Sequence, residues 1–226
     1  MTPADFPGPW HQHPIAVIDF ETTGADPATC APVEMAIVRF EQGEAVARWS
    51  TLLFTGGPIP SKATAIHGIT DADVTSAPGA HLLSNLLHEQ AKELLQDALP
   101  CGYNGQVFDR PLLHRYVYSD DYWVPATAPD FPWLDPLVTI RHIDKYVRGK
   151  GRHALGATCK RHGIELAGAH RALGDTEATG RLLFEAPAIR RMLGDLPIAD
   201  VLRAQLQRAE EQDKAFQAWL ATQEKR

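Results

Sequence analysis

A chain of 226 residues, 44% hydrophobic and 22% charged, can bury a sizeable core and fits one globular domain with an appended helix. Its net charge of −6 argues against a protein that coats nucleic acid by bulk electrostatics, and no apolar run approaches the span of a bilayer. The start, Met1 to Pro14, is rich in Pro and His and lacks the apolar stretch of a signal peptide, and Cys30, Cys101 and Cys159 lack metal-site spacing, so the expected setting is a reducing cytoplasm.

In chain order, residues 1–13 read as a flexible tail. Pro14 to Phe20 is a short β-branched apolar run, a buried strand. Val33 to Phe40 and Ala45 to Phe54 read as two further strands joined by a hairpin turn at Glu41-Gln-Gly-Glu44. Gly56 to Pro60 is a loop. Leu82 to Leu99 carries apolar residues at helical spacing and ends before Pro100. Cys101 to Asn104 fits a short strand and Phe108 to Tyr118 a helix. Ser119 to Trp133, crowded with Pro, Asp and aromatics, is expected to be an irregular loop.

Helical patterns follow at Leu134 to Tyr146, His153 to His162 and Arg171 to Leu183, and Pro187 and Gly194 to Pro197 punctuate the chain before a last helix from Ile198 to Gln223. Its stripe (Ile198, Val201, Leu202, Leu206, Phe216, Trp219, Leu220) fits packing on the protein's own core, or a partner or self-association surface anchored by Phe216 and Trp219. Strands first and helices after, with one strand between, indicate an α/β or α+β sheet with helices packed on it.

Three frames carry chemistry. Asp19 and Glu21 stand two apart at the end of an apolar strand, so both project from one face and can share a cation, while Phe20 points into packing. Thr22, Thr23 and Gly24 follow, offering hydroxyl donors and close backbone approach to a sugar or phosphate. Asn104 and Asp109 flank a strand-to-helix turn; an Asn cap and a first-turn Asp is the plain alternative. His170 and Asp175 span a helix entry with small Ala172 and Gly174 between them, and an imidazole titrating near neutrality is suited to activating water. Gathered carboxylates repel one another, and a fold keeps such a cluster mainly when divalent cations neutralise it.

Between Arg141 and His162 the cations Arg141, Lys145, Arg148, Lys150, Arg152, Lys160 and Arg161 face one acid, Asp144. This run reads either as a solvated face or as a phosphate-steering patch beside the acidic site.

Taken together and in this order, the three frames resemble the DEDDh, or DnaQ-like, branch of the DEDD exonucleases, over about Ile15 to Phe184. The resemblance rests on Asp19 and Glu21, on Asn104, Phe108 and Asp109, and on His170, Ala172 and Asp175. His67-Gly68-Ile69 also looks like the family's nucleotide-contacting segment. The tyrosine branch would place Tyr four before the last Asp, where this chain has Arg171; His170, five before, marks the histidine branch.

The resemblance implies an RNase H-like mixed sheet flanked by helices, to which the apolar spacing adds a long C-terminal helix. With the punctuation at Gly194 to Pro197, the expected division is a tail (1–13), an exonuclease domain (14–195) and a C-terminal amphipathic helix (196–226). The resemblance also implies two Mg²⁺ or Mn²⁺ ions about 3.5–4 Å apart. Asp19 would bridge them, Glu21 and Asp175 would complete one site, and Asp109 would hold the other through water. His170 would be the base, and the products would be nucleoside 5′-monophosphates from a 3′ end. Thr22, Thr23, Gly24, Ile66, His67, Asn104 and Phe108 would meet the substrate, although Phe108 fits core packing better, and Trp123 and Trp133 are candidate stacking platforms.

Single-stranded DNA is the expected substrate, for a free-standing enzyme or a proofreading subunit, with a polymerase or a second copy as partner through the last helix. The alternatives are an RNase T-like exoribonuclease and, in another class, a non-catalytic partner-docking module; no residue tests for the 2′-OH, and no Gln-x-x-Leu-x-(Leu/Phe) clamp-binding segment is present.

Overall fold

The computed structural model describes residues 6–117 and 133–223. The elements are β1 (Ile15–Thr22), β2 (Pro32–Glu41), β3 (Glu44–Leu52), α1 (Ser61–His67), α2 (Asp71–Val74), α3 (Leu83–Leu86), α4 (Lys92–Leu95), β4 (Leu99–Cys101), α5 (Asp109–Tyr116), α6 (Pro136–Ile143), α7 (Leu155–His162), α8 (Ala172–Glu185), α9 (Pro187–Leu193) and α10 (Ile198–Gln223). The strands form one mixed sheet in the order β3-β2-β1-β4. β1 and β2, and β2 and β3, are antiparallel, whereas β4 runs parallel to β1. Gln42 and Gly43 close the β2–β3 hairpin with φ of 51° and 92°, the left-handed pair that a tight two-residue turn requires. This is the mixed, helix-flanked sheet that the three frames imply.

β1 is central and buried on both faces, and its alternation sorts the core. Ile15 and Val17 pack with Val38, Leu182, Leu183, Ile189, Leu193 and Ile198, the side covered by α8, α9 and the start of α10. Ala16, Ile18 and Phe20 pack with Leu83, Leu87, Leu95, Leu112 and Trp133 on the opposite side. α8 lies close on β2 because Gly180 has no side chain; a Cβ there would overlap the Phe40 ring. That approach carries the N-terminus of α8, with His170 and Asp175, to the end of β1.

Several expectations need correction. The tail 1–13 is not free over residues 6–13: Phe6 and Trp10 are core residues, and the Trp10 indole donates to Gly194 O at 3.0 Å. Two aromatics buried against α8 and α9 outweigh the Pro-rich composition. The expected long helix 82–99 is shorter and broken, with a π stretch at Leu87–Ala91 and an end at Leu95. Leu99 is captured by the sheet instead, its N–H donating to Pro14 O at 2.9 Å; Pro100, lacking an N–H, accepts from Leu134 on its outer side. Asn104 lies beyond the short strand, not in it. α1, α2 and α9 are additional helices, and α9 uses Pro187 as a first-turn residue rather than as a breaker. Of the expected irregular loop, residues 119–132, with Trp123, lie outside the described residues. All three cysteines are free and buried.

The last helix divides its stripe. Ile198, Val201 and Leu202 are buried on the core, each contributing about 1.5–3 kcal/mol of apolar burial. Leu206, Phe216, Trp219 and Leu220 are exposed, and the Phe216 and Trp219 rings stack at 5.9 Å. Among the described residues no helix is long and apolar enough to cross a membrane.

Candidate active site

Asp19 and Glu21 occupy alternate positions on β1 and so share the face that α8 covers, while Phe20 between them is buried in the opposite core. A bulge between Glu21 and Thr22 ends the pairing with β2. From α8, Asp175 in the first turn completes the group: ligand oxygens of Asp19, Glu21 and Asp175 lie within 4.8 Å of one another, and all three residues are half-buried. Gly174 allows this, since a Cβ would overlap the carbonyls of Ala167 and Gly168 in the loop leading to His170. Asp109 begins α5 and is buried; its Oδ1 accepts from Phe20 N–H at 3.1 Å.

The acids at this end of the sheet fall into two kinds. Glu34, opposite Glu21 in the β1–β2 register, is buried and fully engaged. It accepts from Arg171 Nε (3.0 Å) and Nη2 (2.7 Å) and from the Ala172 N–H (3.0 Å), tying the start of α8 to β2. Asp135 is buried and accepts from the N–H groups of Asn104 (3.0 Å), Gln106 (3.4 Å) and Leu137 (3.0 Å). Gln205 of α10 braces the same corner, accepting from Asp135 N–H and donating to Trp133 O, both at 2.8 Å. These two carboxylates are structural.

By contrast, no side-chain or backbone donor among the described hydrogen bonds holds Asp19 or Glu21, and Asp175 Oδ1 is buried without a partner. Crowded carboxylates without donors resist ionisation. Burial, then Asp109, Asp175, Glu21 and Glu34, push the Asp19 carboxyl well above its usual range. Burial and then Asp175 and Glu34 push Glu21 up to about 7, with Arg171 opposing. Burial likewise raises Asp109, and raises Asp175 against the pull of His170. Mutually repelling carboxylates gathered at one point, with Asp175 Oδ1 unpartnered, are what a hard divalent cation would satisfy, so the residues present fit Mg²⁺ or Mn²⁺.

This arrangement has a pH consequence. Glu21 rises from an ordinary 4.5 to about 7 in the folded chain, so its protonated form favours folding below about 4.5 and that contribution is lost as pH climbs through 7. The metal-free protein is therefore expected to lose a few degrees of melting temperature, roughly 2–4 °C per kcal/mol, between pH 5 and 8. Mn²⁺ should raise the melting temperature more at pH 8 than at pH 5. Calorimetry showing a metal effect independent of pH would contradict this cluster as the binding site.

His170 is exposed, with φ of 61°, and Asn104 has φ of 67°, so two non-glycine residues adopt the left-handed region, which His and Asn enter more readily than most side chains. Asn104 is not the α5 cap, a position taken by Phe108. The Thr22 hydroxyl donates to Gly24 O at 2.7 Å, and Thr23 Oγ1 accepts from Ala31 N–H at 2.9 Å, so both shape the 22–31 loop; as a donor Thr22 is occupied. Gly24 is exposed. His67 is buried with Nδ1 accepting from Ile69 N–H at 3.0 Å and Nε2 unpaired, and burial lowers its pKa. Neighbouring Ile66 is 61% exposed, as is Val107 at 63%, an exposed apolar residue that the sequence reading passed over.

Phe108 is half-buried against the core. Trp133 is 2% exposed under the 102–105 turn, where a Cβ on Gly105 would lie 2.6 Å from its Nε1; it is a core residue and not a stacking platform. Glu34, Asp135 and Gln205 were also missed. The signals were an acid inside the apolar run Val33 to Val38, and an Asp before Pro136 at a helix start.

Known proteins place the chain. The RNase_T family model, described as exonuclease, matches residues 16–183. The PolC-type DNA polymerase III of Streptococcus suis (strain 98HAH33) is 32% identical over 168 residues, covering 74% of this chain and 11% of that protein. A DNA polymerase III subunit epsilon-like protein of Rhodobacter capsulatus is 32% identical over 182 residues, 77% of this chain and 24% of that protein. The chain thus spans a minor part of these relatives. In fold it is similar to E. coli Exonuclease I in complex with a dT13 oligonucleotide (TM-score 0.64, 20% identity, 80% of this chain and 42% of that one). It is also similar to Exonuclease X in complex with 5′ overhanging duplex DNA (TM-score 0.59, 24% identity, 83% and 99%). With the matched region spanning the sheet, α5 and α8, and the acid group at its centre, the chain belongs to the DnaQ-like DEDD exonuclease family of the RNase H-like superfamily.

Proposed function

We propose that the protein is a 3′–5′ exonuclease that releases nucleoside 5′-monophosphates from single-stranded DNA with two Mg²⁺ or Mn²⁺ ions. The observation that carries this reading is the convergence of Asp19, Glu21 and Asp175 within 4.8 Å, with Asp175 Oδ1 buried and unpartnered and His170 adjoining Asp175. Asp19, Glu21 and Asp175 would hold one cation, and Asp109, whose Oδ1 is engaged by Phe20 N–H, would hold the second from its other side. When bound, the cations would supply Lewis-acid polarisation of the scissile phosphate and would lower the pKa of water.

The chain's own residues do the rest. His170, exposed at the head of α8, takes the proton of the attacking water. Exposed Ile66, with His67 buried beside it, would meet the terminal base, while Gly24 lets the backbone approach its sugar. DNA is favoured over RNA because the relatives named above are a PolC-type DNA polymerase III and a DNA polymerase III subunit epsilon-like protein, and the two similar solved structures are complexes with DNA. The exposed Phe216–Trp219 pair on α10 is the surface through which a polymerase or second copy would attach.

The test is parallel digestion of 3′-labelled single-stranded DNA, duplex DNA and RNA of one sequence with Mg²⁺ and with Mn²⁺. Single-stranded DNA should be degraded fastest. Faster loss of label from RNA would replace the substrate assignment with an exoribonuclease, and loss from none would refute the activity.

A further inference from the structure

The cationic segment between α6 and α7 has a placement and a chemistry that the acid cluster does not use. Lys145, Arg148, Lys150 and Arg152 lie within eight residues and are all exposed, and none forms an ion pair among the described residues. The one acid of the run, Asp144, is engaged by Arg161 Nε (2.9 Å) and Nη2 (2.8 Å) and by His162 Nε2 (3.2 Å). Beside it Tyr146 is 82% exposed, with Lys145 Nζ 5.1 Å from its ring centroid.

The segment is tied to the active-site end of the sheet. Tyr103 Oη donates to His153 O at 2.7 Å and lies 2.8 Å from Thr158 Oγ1, and Tyr103 directly precedes Asn104 on the turn that leads to Asp109. His153 Nε2 in turn bonds Val147 O at 3.1 Å, closing the loop on itself. A chain with a net charge of −6 repels a polyanion overall, so an unneutralised cationic loop tied to the turn that leads to Asp109 is where a phosphate backbone is attracted.

The geometry points to a second nucleic-acid contact: Lys145, Arg148, Lys150 and Arg152 bind the phosphates of the substrate strand away from its cleaved end, with the Tyr146 ring as a face for one base. This inference rests on the exonuclease reading for the identity of the strand. Base stacking on an aromatic and phosphate contacts differ in salt dependence, and that difference makes the two parts separable.

The experiment measures equilibrium binding of a fluorescent single-stranded DNA of about 20 nucleotides, in EDTA, across a salt series. In the variant Arg148→Ala/Lys150→Ala/Arg152→Ala, affinity should fall about tenfold and the slope of log K against log salt should flatten by about 2, from roughly 0.7 per phosphate contact. Arg148→Lys/Arg152→Lys should restore most of the binding, which a misfolded loop would not do. Tyr146→Ala should weaken binding with the slope unchanged. Wild-type isotherms and slope in the triple variant would overturn the proposal. Hydrolysis of the p-nitrophenyl ester of thymidine 5′-monophosphate, too short to reach this loop, is measured alongside with Mn²⁺. Failure of the wild type on that ester refutes the exonuclease reading and leaves the binding result to judge the loop.

Discussion

Asp19→Asn is expected to abolish metal-dependent cleavage while raising the melting temperature of the metal-free protein at pH 8. The two effects have one cause. Burial, and after it the neighbouring Asp109, Asp175, Glu21 and Glu34, push the Asp19 carboxyl well above the ordinary range, and no described donor compensates. A carboxylate whose folded pKa is raised favours the protein only while protonated, so its ionised form is a liability that the amide removes without changing shape. A gain of a few degrees corresponds to about 1 kcal/mol in a domain of this size. The same substitution removes the acid that both cations would share, and its activity should fall to background. Activity at wild-type level, or a large fall in melting temperature, would make Asp19 a structural acid like Glu34, whose oxygens hold Arg171 and the Ala172 N–H.

His170→Ala is expected to lower kcat by roughly 10²–10⁴, the range for loss of a general base, with the affinity for Mn²⁺ little changed. The imidazole is exposed at the head of α8 and is not one of the three clustered ligands, so its removal should leave the acids in place. Because the residue holds φ of 61°, His170→Gly is the companion variant that relieves the backbone constraint. Added imidazole should recover part of the activity in either, since the position is open to solvent. Near-wild-type kcat in both variants would remove His170 from proton transfer.

The site was unevenly legible in the sequence, for a physical reason. Asp19 and Glu21 could be read because a strand has a period of two and Phe20 marks the buried side. The placement of His170 and Asp175 on either side of a helix start could be read from their spacing. Asn104 was misplaced because its position depends on Asp135, 31 residues away, and on Gln205 from the last helix, contacts with no local periodicity. The same non-locality hid Glu34, an acid in an apolar strand whose purpose is Arg171 on another element. Residues 6–13 were misread because composition weighs Pro and His equally, whereas packing weighs Phe6 and Trp10. The helix expected to run to Leu99 was overruled by sheet pairing, a tertiary contact stronger than propensity.

The sorting of the acids also bears on how the last helix relates to catalysis. Gln205 bridges Trp133 O and the Asp135 N–H, and the Asp135 carboxylate holds the turn that ends in Asp109. The inner half of α10 is therefore part of the scaffold of the acid site, whereas its outer half carries the exposed Phe216–Trp219 pair.

The central claim is that the unsatisfied acids at the end of β1 form a cation-dependent centre that removes nucleotides one at a time from a 3′ end. The most direct measurement is product analysis of 3′-labelled single-stranded DNA incubated with the purified protein and Mg²⁺, with and without EDTA. The prediction is that label appears at once as nucleoside 5′-monophosphate and that EDTA stops its release. Labelled oligonucleotides from internal cuts, nucleoside 3′-monophosphates, or release that persists in EDTA would contradict it.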